Sequence, residues 1–431
     1  MADNKENKPV DQRYWAYVKR QFFKKKTAVY SLYIVIFLGV IAILSPFLAN
    51  EKPLVCKYQG ELYFPVVKDI AVGFGMGQFA PKFQNVNWHK LNYDFVIFPP
   101  VPYLPMNQDN DNIHSKSPLG VQNVPSKRWQ HWFGTDELGR DVLAGMIHGT
   151  RIAMTVGIVS MFIASIIGII LGALAGFLGD DTFKVSRVRL WANLLLLYLA
   201  FFYAFSVRSY AITDALGESL GQGILQLFLS AVIFIIVMIA GNFILVPFKR
   251  IPFLGKQVYV PFDMIISRMI EILNSIPTLF LILLIISIIR KPNLYVIMVI
   301  IGLTGWTGIA RFIRAELLKV RSLEYIEAAH SLGYSNLRTL FKHAIPNALS
   351  PVLISIAFGI ASAILTESTL SFLGLGPADT VTWGQLLSYA RQVPQAWWLA
   401  IFPGFAIFIT VTVFNLIGEG LTDALDPRLK Q

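Results

Sequence analysis

The sequence has little charge and almost no cysteine. Only 15% of its 431 residues are Asp, Glu, Lys or Arg, whereas soluble domains contain roughly a quarter, and 55% are apolar. The single cysteine, Cys56, cannot form an intrachain disulfide, which excludes a disulfide-stabilised secreted scaffold. A mean hydropathy of +0.57 excludes a disordered chain. The composition therefore indicates an integral membrane protein.

Sequence motifs for catalysis, nucleotide binding and metal binding are also missing. The chain contains no G-x-x-x-x-G-K-[ST] phosphate loop, no G-x-S-x-G nucleophile motif and no H-E-x-x-H pair. The six histidines are scattered along the chain. We therefore expect no catalytic residue, no metal site and no bound cofactor, so any energy that the protein uses must be supplied from elsewhere.

Long apolar runs dominate the sequence. A helix of about 20 mostly apolar residues crosses the hydrocarbon core of a bilayer. The stretches that approach this length are 28–48, 152–178, 190–207, 223–246, 272–289, 294–312, 351–373 and 397–417. They predict an all-α, polytopic membrane protein with about eight spans.

The positions of Lys and Arg predict the orientation, because cytoplasmic loops carry most of these residues. In this chain the basic residues concentrate in the N-terminal tail, in alternate short loops and near the C-terminus. Both termini are therefore predicted to be cytoplasmic, as an even number of spans requires. The chain has a net charge of +11, and most of its basic residues lie in the predicted cytoplasmic segments. We therefore expect the lipid bilayer and no nucleic acid as a partner.

Composition divides the chain into segments. Pro, aromatic and amide residues after the first span predict a small folded extracytoplasmic domain, and two apolar stretches further along predict a membrane hairpin. The predicted segments are a basic tail (1–27), the first span (28–48), the extracytoplasmic loop domain (49–131), a pre-span segment with the second span (132–180), the hairpin (181–262) and the remaining transmembrane core (263–431).

Four ionisable or small residues within the spans have positions that suggest a specific role. Glu367 lies near the outer end of a span, and we weigh an interfacial or helix-capping carboxylate against a pathway or gate residue. Gly168, Gly172 and Gly176 are spaced four apart, a pattern that lets another helix approach closely, so we expect them to serve helix packing. A hinge is the alternative.

The predicted cytoplasmic loop 311–347 contains the most informative motif, RSLEYIEAAHSLGYSNLRTLFKHAIP. Ser322 is placed to cap a first short helix, and Gly333 is placed to end it in a left-handed conformation. Ser335 is placed to cap a second helix, which is expected to stop before Pro346. Two short helices joined at a glycine form a compact surface that can fit a groove in a soluble partner, although an ordinary surface hairpin explains the same pattern.

This loop resembles the EAA motif of bacterial ABC importer permeases. The matching positions, in the family's order, are Glu327, Ala328, Ala329, Gly333, Ile345 and Pro346. Three further stretches resemble the C-type permease of dipeptide, oligopeptide and nickel importers. They are FGTDELGRDVLAGMIHGTRIA (133–153), TESTLSFLGLG followed by Trp383-Gly384, and the ending from Phe402-Pro403-Gly404 to Asp426-Pro427-Arg428-Leu429.

The segment 49–69 resembles the outer part of the microcin C-type oligopeptide permease branch. The family's six-span pattern passes directly from a segment like GFLGD to one like DMIISRM, whereas here the predicted hairpin 181–262 intervenes. The resemblance therefore implies a six-span core with an inserted two-span hairpin.

The resemblance implies a transport subunit, not an enzyme, in the inner membrane. It also implies a second permease subunit, two ATP-binding subunits that use ATP and Mg, and an extracytoplasmic solute-binding protein. In this arrangement 311–347 is the ATPase-coupling loop, and the substrate is a peptide. The alternatives are a permease for nickel or another small solute and, less favoured, a secondary transporter.

Overall fold

A computed structural model describes residues 10–425 except 74–75, 85, 219, 246, 248–250, 290–292 and 378. The strands are β1 (Val55–Tyr58), β2 (Glu61–Tyr63), β3 (Phe95–Ile97), β4 (Lys184–Ser186) and β5 (Gln257–Tyr259). The α-helices are α1 (Val10–Lys24), α2 (Lys26–Leu48), α3 (Pro65–Gly73), α4 (Val142–Ala173), α5 (Arg187–Phe201), α6 (Ser209–Glu218), α7 (Leu220–Ile244), α8 (Pro252–Gly255), α9 (Phe262–Ser275), α10 (Thr278–Ile288), α11 (Leu294–Val320), α12 (Glu324–Ser331), α13 (Asn336–Thr339), α14 (Ile345–Ala348), α15 (Ser350–Phe372), α16 (Trp383–Gln392) and α17 (Trp398–Leu425).

Within the described residues, seven helical segments are long and apolar enough to cross a membrane. They are α2, α4 with its continuation to Leu178, α5 with its continuation to Ser206, the part of α7 from Gly221, α11, α15 and α17. The chain is thus an all-α polytopic membrane protein, as the sequence predicts.

The predicted span 272–289 corresponds to a broken helix pair. The chain forms two helices, α9 and α10, and they are separated at Ile276 and Pro277. Pro277 lacks an N–H and disfavours a helical conformation of the residue before it, so the α-helix ends there and restarts at Thr278. Only together are the two helices long and apolar enough to cross a membrane, as one broken span.

The described chain forms two compact units. The first comprises 10–169, 276–313 and 346–425, and the second comprises 170–275 and 314–345. In the first unit, an apolar cluster that includes Val156, Ile282, Ile297 and Leu370 joins helices α4, α10, α11 and α15.

Glycines bring α4 and α11 close together in the first unit. A Cβ on Gly302 would lie 2.8 Å from Ile163 Cβ, and one on Gly168 would lie 2.8 Å from Ile309 Cβ. Ser160 Oγ also donates a 3.0 Å hydrogen bond to the carbonyl of Met298. The small residues therefore allow direct backbone approach, which is how helices pack tightly in lipid.

The segment between α2 and α4 is folded. Strand β1 pairs antiparallel with both β2 and β3, which places Cys56 opposite Tyr63 and Val96 on the buried face of the sheet. Phe83 stacks on Trp88 with ring centroids 5.1 Å apart, and His89 contacts Trp129 at 4.5 Å. Aromatic packing therefore supplies much of the core of this small domain.

The inserted segment 181–262 begins and ends at a two-stranded sheet within the second unit. At its base, β4 pairs antiparallel with β5, so the residues that enter and leave the insertion lie side by side. Asp180 Oδ1 accepts hydrogen bonds from the N–H groups of Asp263 and Met264 at the start of α9. Helix α5 packs along α7, and Asn242 Nδ2 donates to Asn193 Oδ1 at 2.7 Å.

Candidate functional site

The predicted coupling loop, 311–347, contains the end of α11 at Val320. Ser322 does not cap the following helix as predicted, because its hydroxyl donates to the carbonyl of Lys319 at 2.8 Å. Leu323 occupies the capping position of α12 without a side-chain hydrogen bond. The first turn instead carries Glu324 and Glu327, whose negative charges interact favourably with the positive end of the helix dipole.

The Ala-Ala pair of α12 is divided between the interior and the surface. Ala329 is 6% exposed and Ile326 is 1% exposed, whereas Glu327 and Ala328 lie on the exposed face. The two alanines of the EAA-like motif therefore do not share one exposed face. Ala329 anchors α12 within its own chain, and Ala328 with Glu327 forms the surface available to another protein.

Gly333 ends α12 as the sequence predicts. Its φ angle is +80°, which favours glycine, and a Cβ there would meet nothing within 4 Å. The Gly333 N–H donates to His330 O at 2.9 Å, and the Tyr334 N–H donates to Ala329 O at 3.1 Å. This pair of bonds is the Schellman motif, which sets the direction of the chain after the helix.

The second short helix is capped as predicted but does not stop where predicted. Ser335 Oγ accepts a 3.4 Å hydrogen bond from the Arg338 N–H at the start of α13. The chain then widens into a π-helical turn over Leu340–Ala344 and continues as α14, which contains Ile345 and Pro346. The wider turn accommodates the proline, which lacks an N–H for a helical hydrogen bond.

Contacts of residues outside α12 and α13, within the second unit, hold the loop in place. Arg314 contacts Asp263 with its Nε and Nη2 atoms, the latter at 2.8 Å. Gly176, in a π-helical turn, lies so close to Arg314 that a Cβ would be 2.6 Å from the Arg314 carbonyl oxygen. A cleft of about 330 Å³ lies beside α12, and its lining residues are Phe177, Thr182, Arg321, Ser322, Ile326, His330 and Asn336.

The three predicted packing glycines have different surroundings. All three are buried. Gly168 faces α11 in the first unit, Gly176 faces the backbone of Arg314 in the second, and Gly172 lies on α4 between them. Because the helix changes to a π-helical turn at Leu174, the regular four-residue spacing of the sequence does not continue unchanged to Gly176.

Glu367 lies inside α15 and is 1% exposed, so it does not cap the helix. Its Oε1 accepts a 2.6 Å hydrogen bond from Ser371 Oγ, and Ser368 Oγ lies 3.5 Å from Oε2. Gly384 approaches the backbone of Ser368 so closely that no side chain fits. The motifs TESTLSFLGLG and Trp383-Gly384 therefore meet around this carboxylate.

The FGTDELGRD motif forms a turn before α4. Asp136 Oδ1 accepts hydrogen bonds from the N–H groups of Leu138 and Arg140, both at 2.9 Å. Trp398 Nε1 donates to Thr135 O at 3.0 Å. The motif thus connects the segment that precedes α4 with α17.

A buried histidine with two carboxylates lies next to this turn, and sequence reasoning missed it. His131 is fully buried, with Nδ1 2.7 Å from Asp141 Oδ2 and Nε2 3.1 Å from Asp109 Oδ2. Asp141 Oδ1 also caps α4 by accepting from the Ala144 N–H at 2.6 Å. Only the position of Asp141 one residue before the helix hinted at this cluster in the sequence.

Burial opposes the protonation of His131, but the hydrogen bonds and charges of Asp141 and Asp109 outweigh it and raise the pKa of the imidazole above its ordinary value. A doubly protonated ring satisfies both carboxylates, because each ring nitrogen then carries a donor. Among the described residues, no group of three or more His, Cys, Asp or Glu has the arrangement of a metal site.

The apolar spans define a class of protein, namely a polytopic membrane protein. Residues 253–431 match the family described as the binding-protein-dependent transport system inner membrane component. Residues 13–60 match the N-terminal TM domain of oligopeptide transport permease C. The two matches together cover more than half of the chain, which belongs to this family of ABC importer permeases.

Similarity to curated relatives extends along the full chain. The inner membrane ABC transporter permease protein YejE of Escherichia coli is 28% identical over 97% of this chain and 98% of its own length. The oligopeptide transport system permease protein OppC of Haemophilus influenzae is 26% identical, with 99% and 93% covered. The dipeptide transport system permease protein DppC of Bacillus subtilis is 29% identical, with 73% of each chain covered. The chain is therefore a multi-pass inner-membrane permease, a subunit of an importer that also requires ATPases.

Proposed function

We propose that this permease forms half of a translocation path for peptides. The observation that carries the proposal is the similarity to an oligopeptide permease over 99% of the chain. The second half of the path belongs to a second permease subunit, and an extracytoplasmic solute-binding protein delivers the substrate. Two ATP-binding subunits bind ATP and Mg and supply the energy.

The proposed coupling element is the loop of α12 and α13. Glu327 and Ala328 form its exposed contact surface, and Ala329 fixes α12 to the body of the second unit. Gly333 sets the angle between the two helices, while Ile345 and Pro346 carry the chain toward α15. ATP binding by the partners would favour one of two arrangements of the spans through differential contacts at this loop.

For Glu367, the surrounding hydroxyl groups favour a structural role over the predicted role of a pathway or gate residue. Its carboxylate holds Ser371 in the same helix, close to the contact between Ser368 and Gly384. Glu367→Gln keeps the shape and a hydrogen-bond acceptor. It should therefore preserve uptake if the role is structural.

The substrate class can be tested in proteoliposomes that contain this permease, the second permease and the ATP-binding subunits, together with the solute-binding protein. We expect ATP-dependent accumulation of a labelled oligopeptide and none of radioactive nickel. Nickel accumulation would support the alternative substrate class. Uptake of peptide that proceeds without ATP would instead support a secondary transporter and contradict the proposal.

A further inference from the structure

The N-terminal helix α1 is held against the last helix of the first unit. Val18 and Phe22 are buried in an apolar cluster with Ala28 and Ala424. A Cβ on Gly420 would lie 2.4 Å from Ala28 Cβ and 3.2 Å from Phe22 Cε2, so the small residue is needed for this contact. One face of α1 is thereby fixed on the protein.

The opposite face of α1 is basic and exposed. Lys19, Arg20 and Lys24 lie on it, and Lys26 follows at the start of α2. Phe23 projects between these cations and is 48% exposed. Within the described residues, none of the four cations forms an ion pair or a hydrogen bond.

Lys25 differs from its neighbours. Its Nζ atom lies 2.8 Å from Glu419 Oε1 and 2.7 Å from Asp423 Oδ2. The hydrogen bonds to Asp423 and Glu419 raise the pKa of Lys25, so it stays charged and is neutralised by α17. The positive charge of Lys25 is therefore neutralised by α17, whereas no residue in the described part of the chain neutralises the four exposed cations.

The first turns of α2 indicate the depth of this surface. Tyr30 and Tyr33 are 66% and 59% exposed on the first apolar span, where aromatic side chains favour the level of the lipid headgroups. Only Lys25 separates α2 from α1. The four cations and Phe23 therefore lie at or near the membrane surface.

We propose that this face of α1 binds anionic phospholipid headgroups. Unpaired cations around an exposed aromatic ring, next to the start of a span, match the chemistry by which interfacial helices bind negatively charged lipid. The fixed opposite face keeps the cations ordered in the absence of lipid, so binding requires no folding of the helix. Salt at 1 M, where the screening length is about 3 Å, should weaken it.

The test uses the full-length permease in detergent, titrated with dioleoyl-phosphatidylglycerol or dioleoyl-phosphatidylcholine while the melting temperature is recorded. We expect the wild type to be stabilised by phosphatidylglycerol at a lower concentration than by phosphatidylcholine. A variant with Lys19, Arg20, Lys24 and Lys26 changed to Gln should lose this preference. Each cation removed should raise the half-saturating phosphatidylglycerol concentration about fivefold at low salt.

Two controls make the result specific. The first control changes four exposed lysines of the segment 49–131 to Gln, namely Lys57, Lys68, Lys90 and Lys127. It removes the same amount of charge and should leave the preference for phosphatidylglycerol intact. Lys25→Gln should lower the melting temperature equally in both lipids. If the fourfold variant does not accumulate, the double variants Lys19→Gln/Arg20→Gln and Lys24→Gln/Lys26→Gln should each lose part of the preference. Equal stabilisation of the wild type by both lipids, or an unchanged preference in the variants, would overturn the proposal.

Discussion

The helix pairs α4–α11 and α5–α7 both span the membrane by length and composition, yet they are built differently. In the most apolar 18-residue stretch of α11, 56% of the residues are buried, whereas in that of α7 only 11% are buried. Glycines join α4 to α11, whereas polar side chains join α5 to α7 through Asn193 and Asn242. Arg208, just after α5, also donates to Ser230 Oγ on α7 at 3.1 Å.

The difference explains how the hairpin can be inserted. Its polar pairs bind its two helices to each other, and β4 with β5 closes its base, so it needs little from the rest of the second unit. The α4–α11 pair has no such independence, because its contacts depend on the fit of small residues against bulky neighbours. Substitutions should therefore damage the first pair more than the second.

The largest effect is expected at His131, which holds Asp141 at the start of α4. His131→Gln leaves the buried Asp141 carboxylate and the partly exposed Asp109 carboxylate without their cation, and we expect it to lower the free energy of unfolding by about 3–5 kcal/mol. Unfolding of the purified permease by heat or denaturant measures the change. His114→Gln, at an exposed position, is the control and should be close to neutral.

The same cluster predicts a pH dependence. Because the pKa of folded His131 is raised, its stabilisation is complete below the ordinary imidazole pKa of about 6.5. It is lost as the pH rises through the higher pKa of the folded state. The difference in melting temperature between wild type and His131→Gln should therefore shrink at alkaline pH. A difference that grows with pH would contradict a protonated His131.

A smaller effect is expected between α4 and α11. Gly302→Val would place side-chain atoms against Ile163, where a Cβ alone already lies at 2.8 Å, and should cost about 1–3 kcal/mol. Gly308→Val lies on the same helix in open space and serves as the matched control. The yield and melting temperature of the purified permease measure both. Equal losses would show that helix propensity, and not packing, decides the effect.

The smallest effect is expected in the hairpin. Asn193→Leu removes the hydrogen bond to Asn242, and bonds of this kind between membrane helices contribute about 0.6 kcal/mol on average. The melting temperature should fall slightly, and ATP-dependent uptake should persist. Loss of uptake in a variant that accumulates normally would show that the hairpin takes part in transport.

The sequence was informative where chemistry is local. The apolar runs predicted the spans, and Gly333 and Ser335 predicted the turn and the cap of the coupling loop because both depend on a few neighbouring residues. It failed where distant residues decide the outcome. The burial of Ala329 and of Glu367 depends on packing between helices. The His131 cluster combines residues that are separated by 10 and 22 positions in the sequence.

One other failure has a backbone cause. Pro346 is accommodated within a helical segment by a π-helical turn that no residue pattern predicts. The sidedness of the hairpin stays a prediction. Its outer end at Ser209 and its base at Thr182 are both exposed, so cysteines there, with Cys56 replaced, should react with an impermeant maleimide from opposite sides.

The central claim is that the exposed face of α12 couples the permease to its ATP-binding subunits. The most direct measurement is recovery of these subunits, and stimulation of their ATPase activity, with purified Ala328→Trp permease. Ala80→Trp, at an exposed position of the segment 49–131 and outside the predicted coupling loop, is the control. We expect Ala328→Trp to abolish recovery and stimulation while permease accumulates normally, and Ala80→Trp to retain both. Wild-type recovery and stimulation with Ala328→Trp would contradict the claim.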